Sequence, residues 1–421
     1  MILKFRNISE EFRSIVKNFS YLSILQVVNM LLPMLLYGYL LRVLGNELFG
    51  KIIYIRSIVF IFGSLVKYGF DPYGAREVAY HRDNIDQVYE ITVSIITGKL
   101  FLGIIATILY YCFVTYFCPN EWSSLYWLSF LMIFQDLFFP RWFYMGIEDM
   151  KYITYIMGGL KIVTTCLIFF TVSIKSDYLY IPLINGVGAF ISGLFSCLLV
   201  FHKLNKSYQF PSFNLVKVHL VKSASIFLSE VMIVARDNFN VVFIGMMLSS
   251  SDVTFYDLCN KLINLSKVPF SMFNDAIYPT LVHSRSQNKF WFYFKWGIIA
   301  MLLVVLVLNL FSHQVISLFL GDHSSEIINL LHLNSLIIPF NIFSMMLGTF
   351  LLVFGYYNKY SISVVSSVLV YLFGLLLCVI KVMPTTLISI VMISISASVF
   401  EMIVRAFFVR NKPKLVNKTR L

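Results

Sequence analysis

Long apolar runs alternate with short polar interruptions along the whole chain. A helix needs about 20 apolar residues to cross the hydrocarbon of a bilayer, with every backbone N–H and C=O satisfied inside the segment. Twelve runs meet that demand, at residues 20–44, 50–70, 89–116, 122–140, 152–174, 178–202, 223–248, 253–282, 290–320, 327–355, 359–381 and 384–409. Tight turns at residues 45–50 and 249–252 make the helices on either side antiparallel neighbours. Residues 1–19 differ in kind. Lys4, Arg6, Glu10, Glu11, Arg13 and Lys17 leave no room for the apolar core of a cleavable signal. Phe5, Ile8, Phe12, Ile15 and Phe19 instead predict an amphipathic helix lying on the cytoplasmic interface.

The polar interruptions are not equivalent. One set holds Arg76 and Arg82, Arg141 and Lys151, Lys203, Lys206, Lys217 and Lys222, Arg285 and Lys289, Lys359, and the tail from Arg410 to Arg420. The alternating set is short and poor in basic residues, which places both termini in the cytoplasm by the positive-inside rule. The longest polar connection, residues 203–222, falls halfway along. It predicts a lobe of six helices at residues 20–202, a linker at 203–222, a second six-helix lobe at 223–409 and a basic tail at 410–421. Punctuation repeats between the halves: Arg76 is answered by Arg285, and Gly146 with Lys151 by Gly355 with Lys359. That is the mark of a weak parallel repeat. The fold class read from this pattern is an all-α polytopic membrane protein, about twelve transmembrane helices in two lobes around a central cavity.

Composition excludes a soluble reading. Charged residues make up 13% of the chain and apolar ones 59%, about half the charge that a soluble surface carries. The mean hydropathy is +0.80. A net charge of +12 raises the question of nucleic acid, but the basic residues are scattered between apolar runs, not gathered on one face. The six cysteines lack metal-ligand spacing, the seven histidines never take a metalloprotease spacing, and no phosphate-cradling loop is present. Gly186-x-Gly188 lies inside an apolar run, where close helix packing accounts for it.

Charges inside the spans carry the candidate chemistry, because each costs roughly 2.5–3.5 kcal/mol at the bilayer centre on insertion scales. Asn260, Asn264, Lys267, Ser271 and Asn274 recur at helical spacing, so one polar face runs through most of a crossing. Arg56, Lys99, Lys161, Arg236, Lys261 and Lys267 outnumber the acids Asp237, Asp257 and Glu230. Gln26, Asn29 and Asn240 add uncharged polar positions. Read together they predict a cationic, water-filled cavity suited to a diphosphate. The structural alternatives stand beside it: Arg236 with Asp237 as an internal pair, Arg56, Lys67 and Lys261 snorkelling from helix ends, and Glu401 with Arg405 as an i, i+4 pair.

Four segments resemble a known family. Leu44-Gly45-Asn46-Glu47-Leu48-Phe49-Gly50, Gly69-Phe70-Asp71 through Gly74-Ala75-Arg76-Glu77, Pro140-x-Trp142-Phe143-Tyr144-x-Gly146-x-Glu148 and Phe273-Asn274-x-x-x-Tyr278-Pro279 are similar to elements of the Wzx-type polysaccharide flippases. These belong to the multidrug/oligosaccharidyl-lipid/polysaccharide exporter superfamily. The resemblance implies a V-shaped twelve-helix bundle of the inner membrane that opens alternately to each side. It implies as cargo an undecaprenyl-diphosphate-linked oligosaccharide, a repeat unit of O-antigen or another surface polysaccharide. As partners it implies membrane lipids and the polymerase and glycosyltransferases of the same pathway, with no nucleic acid. No cofactor is expected; Asp237, Asp257 and Glu230 are the candidates for coupling to H+ or Na+. A cation-coupled multidrug exporter is the nearest rival, but its first helix would carry a carboxylate, and the cavity charge here has the opposite sign. No outer loop is large enough for a membrane enzyme's catalytic groups.

Overall fold

The computed structural model describes residues 8–284, 286–320 and 325–411, except for the side chains of 8–19, 22, 23, 225, 228–230, 232–237, 275, 276, 278–280, 282–284, 289 and 357. The described residues are helical with no strand, and eight helical runs are long and apolar enough to cross a membrane. The chain forms two compact units, Met1–Val242 and Phe243–Leu421. The amphipathic face expected for residues 1–19 and most of the basic tail lie outside the described residues, although the backbone from Ile8 onward is helical.

The first unit contains α1 (Ile8–Lys67), α2 (Phe70–His81), α3 (Ile85–Phe117), α4 (Ser123–Phe130), α5 (Ile133–Phe138), α6 (Arg141–Gly146), α7 (Met150–Ile153), α8 (Gly159–Thr171), α9 (Tyr180–Leu204) and most of α10 (Phe213–Met247). In α1 the backbone leaves helical angles at Gly45, whose φ of +79° only glycine adopts without strain. Tyr37 and Phe49 then meet edge to face at 4.8 Å. In a straight helix twelve residues would separate their backbones by about 18 Å, so the chain doubles back at Gly45, as the sequence pattern requires. α3 and α9 match the spans expected at 89–116 and 178–202, while other elements depart from them. Residues 70–81, expected as a loop, form α2. The span expected at 122–140 is two short helices broken near Leu131, where Leu131 lies against Gly186 of α9. α10 begins at Phe213, so the polar connection is shorter than the expected 203–222, and the boundary between the units falls inside this helix.

The second unit contains the end of α10 and then α11 (Ser250–Ser284), α12 (Gln287–Leu310), α13 (Ser312–Leu320), α14 (Ser325–Ser335), α15 (Ile337–Val353), α16 (Tyr357–Val379) and α17 (Leu387–Arg410). The spans expected at 290–320 and 327–355 are each divided, at Phe311 and at Leu336. α15, α16 and α17 pack on one another, and α11 packs on α15 and α14.

The weak repeat has a physical counterpart at the two punctuation points. In the first unit Ile147, Glu148 and Asp149 donate to the carbonyls of Phe143, Met145 and Tyr144. In the second, Phe354, Gly355 and Tyr356 donate to those of Phe350, Leu352 and Leu351. Both sets end a helix on a residue of positive φ, Glu148 at 58° and Gly355 at 82°.

Candidate functional site

Two of the four motif segments form one packed knot in the first unit. α2 lies on α6, with Phe70, Tyr73, Trp142, Phe143 and Tyr144 all buried in a common core. The contact is close because Gly146 faces Val78 and the Ala75 carbonyl, where a Cβ would fall within 2.6 and 2.9 Å. Tyr144 donates its hydroxyl to the Ser196 carbonyl at 2.9 Å, tying the knot to α9. Tyr73 Oη lies 2.7 Å from His219 Nδ1, tying it to the polar first turns of α10. Burial, and then the nearby Lys222, hold the His219 imidazole below its ordinary value. Ion pairs dress the same end of the unit: Arg82 with Glu148 at 3.3 Å, Lys203 with Asp149 at 3.0 Å, and Lys206 with Asp86. These motifs build structure and offer no reactive group.

The charged centre of the first unit is organised by Asp136. In a continuing helix its carbonyl would take the amide of residue 140, but Pro140 has none. Phe139 is extended, as residues preceding proline are. The Lys99 ammonium replaces the missing donor, with Nζ 3.1 Å from the Asp136 carbonyl oxygen. The carboxylate of the same residue sits 3.3 Å from Lys67 Nζ. It occupies a notch over α1 that exists because residue 63 is glycine: a Cβ there would fall 2.5 Å from Asp136 Oδ2. Arg56, Phe60, Gly63 and Lys67 share one face of this arm of α1 by helical spacing. Phe60 is exposed on it. Arg56 places its guanidinium 5.8 Å from the Phe60 ring centroid, and its Nε is buried with no hydrogen-bond partner among the described residues.

This arrangement corrects one expectation. Lys99, expected to line a water-filled cavity, is 2% exposed and bonded to a backbone carbonyl. Proline creates that demand, so Lys99 serves the helix break. Asp136 is absent from the sequence-predicted set, and its signal is a carboxylate four residues before a proline in an apolar run. Of the other candidates here, Gln26 and Asn29 are exposed on the first arm of α1, Lys161 is half-buried on α8 and Asn240 is buried on α10. The side chains of Arg236, Asp237 and Glu230 lie outside the described residues.

In the second unit α11 keeps the expected polar face. Asn264 is exposed, and Asn260, Lys267 and Ser271 are half-buried. Lys267 Nζ donates to Asn264 Oδ1 at 3.3 Å, one turn away. Asn274, at the end of the stripe, accepts from Thr349 Oγ1 at 2.8 Å and is held against α15. Lys261 pairs with Asp257 one turn before it, so its charge is compensated locally. Glu401 and Arg405 form the expected pair within α17. A cavity of about 530 Å³ between α11, α14 and the start of α17 is lined by Asp252 and Glu326 and by no basic side chain. No cluster of His, Cys, Asp and Glu suited to a metal occurs among the described residues. What the spans offer chemically is fixed cations and amide or hydroxyl groups, the equipment for holding an anion or a hydroxylated head group in passage.

A family model described as polysaccharide biosynthesis protein matches residues 15–285. The chain is 26% identical over 280 residues to an Escherichia coli (strain K12) protein provisionally named an O-antigen transporter, covering 66% of this chain and 67% of that one. A Shigella dysenteriae protein of the same provisional name is 25% identical over 271 residues, 63% of this chain and 67% of its own. Among solved structures, an inward-facing MATE-family multidrug resistance transporter of the MOP superfamily superposes with a TM-score of 0.66 at 16% identity, over 93% of this chain and 97% of that one. The lipid II flippase MurJ, in an inward closed conformation, gives 0.67 at 14% identity, over 93% and 87%. The fold is that of the MOP-superfamily transporters.

Proposed function

Because the chain belongs to the polysaccharide biosynthesis protein family, we propose that it is a flippase for lipid-linked oligosaccharide. The cargo is an undecaprenyl-diphosphate-linked repeat unit of O-antigen or another surface glycan. It crosses from the cytoplasmic to the periplasmic leaflet of the inner membrane by alternating access, with both termini of the protein cytoplasmic. The observation that carries this reading is the sign of the intramembrane charge in the first unit. Lys67 holds the Asp136 carboxylate and Lys99 its carbonyl, while Arg56, on the same face of α1 as Lys67, has a buried Nε with no partner among the described residues. A surplus of cation inside a bilayer is costly unless an anion offsets it, and a diphosphate supplies one with oxygens that Arg and Lys both recognise. Lys267 and Asn264 extend the same chemistry to the second unit. The names of the O-antigen transporter relatives support the glycan cargo, and a cationic exporter substrate would meet the wrong charge.

A strain lacking the gene should accumulate lipid-linked repeat units in the cytoplasmic leaflet and lose surface glycan. Complementation with Lys267→Ala should restore less than about a tenth of normal glycan display at equal protein level, the loss expected for a charge-assisted contact worth 1.5–3 kcal/mol. Full glycan display in the deletion strain would overturn the reading.

A further inference from the structure

We propose that Lys67 is an exchangeable anion-binding side chain, and that Asp136 is a built-in occupant holding the place of a phosphate oxygen until cargo arrives. The identity of the anion, the phosphate head of a lipid-linked sugar, rests on the flippase reading. The exchange itself rests on geometry.

Three features set this pair apart from a structural salt bridge. The lysine side chain is 41% exposed while its carboxylate is 18% exposed, so one partner is lodged and the other has an open side. Asp136 is fixed independently of Lys67: its carboxylate fills the Gly63 notch and its carbonyl is held by Lys99. Among the described residues Lys67 has no second hydrogen-bonding anchor; its flexible stem carries a point charge to one acceptor. Releasing Lys67 therefore leaves the surrounding helices in place. The open side of Lys67 shares the face of α1 that carries exposed Phe60 and, 11 residues earlier, Arg56, whose Nε has no partner among the described residues. Eleven residues of helix span about 16 Å, so an anion leaving Lys67 along this face next meets Arg56. The other charged or titratable groups around the pair are Lys99 on α3, Asp71 on α2, Arg141 on α6 and, beside Lys99, Cys197 on α9.

Competition between an internal carboxylate and an external phosphate has a clear signature in a double-mutant cycle. The full chain in nanodiscs is titrated with farnesyl diphosphate, and with farnesol to subtract tail binding. Asp136→Asn should bind farnesyl diphosphate about tenfold tighter than the parent protein, because Lys67 is freed. Lys67→Ala should bind at least tenfold weaker, with Lys67→Gln as a second variant of closer shape. Crucially, Asp136→Asn should give no gain in the Lys67→Ala background. Asp149→Asn, which removes a negative charge elsewhere in the unit, should change nothing. An equal gain from Asp136→Asn with and without Lys67, or no binding by any of these proteins, overturns the exchange. Failure of the flippase reading looks different: the four-protein pattern would persist while the deletion strain displayed normal glycan.

Discussion

In the first unit Lys99 donates to the carbonyl of Asp136, and in the second Arg405 donates to the carbonyl of Ser344, 208 residues further along. Both place a basic side chain on helix backbone inside the membrane domain, yet the surroundings diverge. Arg405 also reaches the hydroxyls of Ser344 and Ser363 at 3.0 Å and pairs with Glu401, which accepts from Ser367 at 3.4 Å. Its guanidinium fits beside Gly348, where a Cβ would fall 2.9 Å from Nη1. Arginine and glutamate there are 5% and 7% exposed, and each guanidinium nitrogen has a partner, so the node is closed. Around Asp136 the work is divided between two lysines, one sealed on the carbonyl and one facing outward on the carboxylate. The contrast teaches that an intramembrane ion pair is identified as structural by saturation of its donors and by closure, and that the charges alone do not distinguish it from a working site.

The largest test of that contrast removes one charge from each node. Arg405→Ala strands a buried Glu401 and should cost about 3–5 kcal/mol, seen as loss of monodisperse protein and a sharply lowered melting temperature. Replacing both partners, Arg405→Met with Glu401→Leu, should recover most of it. Lys67→Ala should cost no more than about 1 kcal/mol, since its pair is open to solvent screening. Equal destabilisation by the two alanine variants would erase the distinction.

Next in size is the carbonyl bond itself. Lys99→Met leaves the Asp136 carbonyl unsatisfied and should cost about 1–3 kcal/mol. Adding Pro140→Ala returns a backbone N–H to the position that lacked one, so the double variant should melt above Lys99→Met alone. Strict additivity of the two changes would show that Lys99 does not act as the substitute donor.

The smallest effect concerns the knot at the polar end of the first unit. His219 is held below its ordinary value of 6.5 by burial. The unfolded chain therefore binds a proton that the folded one refuses, and stability is lost as pH falls below that value. Melting temperature should drop between pH 7 and pH 5, and His219→Gln should flatten that part of the profile. An unchanged slope in the variant would remove His219 as the cause.

Much of the architecture was legible in the residue order. The alternation of apolar runs and basic turns marks a multi-pass helical protein, Gly45 marks the reversal within α1, and the spacing of Glu401 and Arg405 marks their pair. The repeat surfaced in the sequence as punctuation and in the structure as the same helix ending at Glu148 and Gly355. Less legible were α2, whose mean hydropathy is that of a loop but whose Phe70, Tyr73 and Val78 are buried against α6 and neighbouring helices, and the breaks at Leu131, Phe311 and Leu336. None of the three break residues is proline or glycine, so local propensity gave no warning.

Periodicity and charge bias act through the solvent, and lipid and water read them segment by segment. On that ground the sequence alone determined that the chain crosses a membrane as helices and that its spans hold surplus cation. Which cations are free to act was decided by tertiary structure. Whether a lysine faces an open side or a proline-orphaned carbonyl depends on the helix beside it, and no pattern within its own helix records that neighbour.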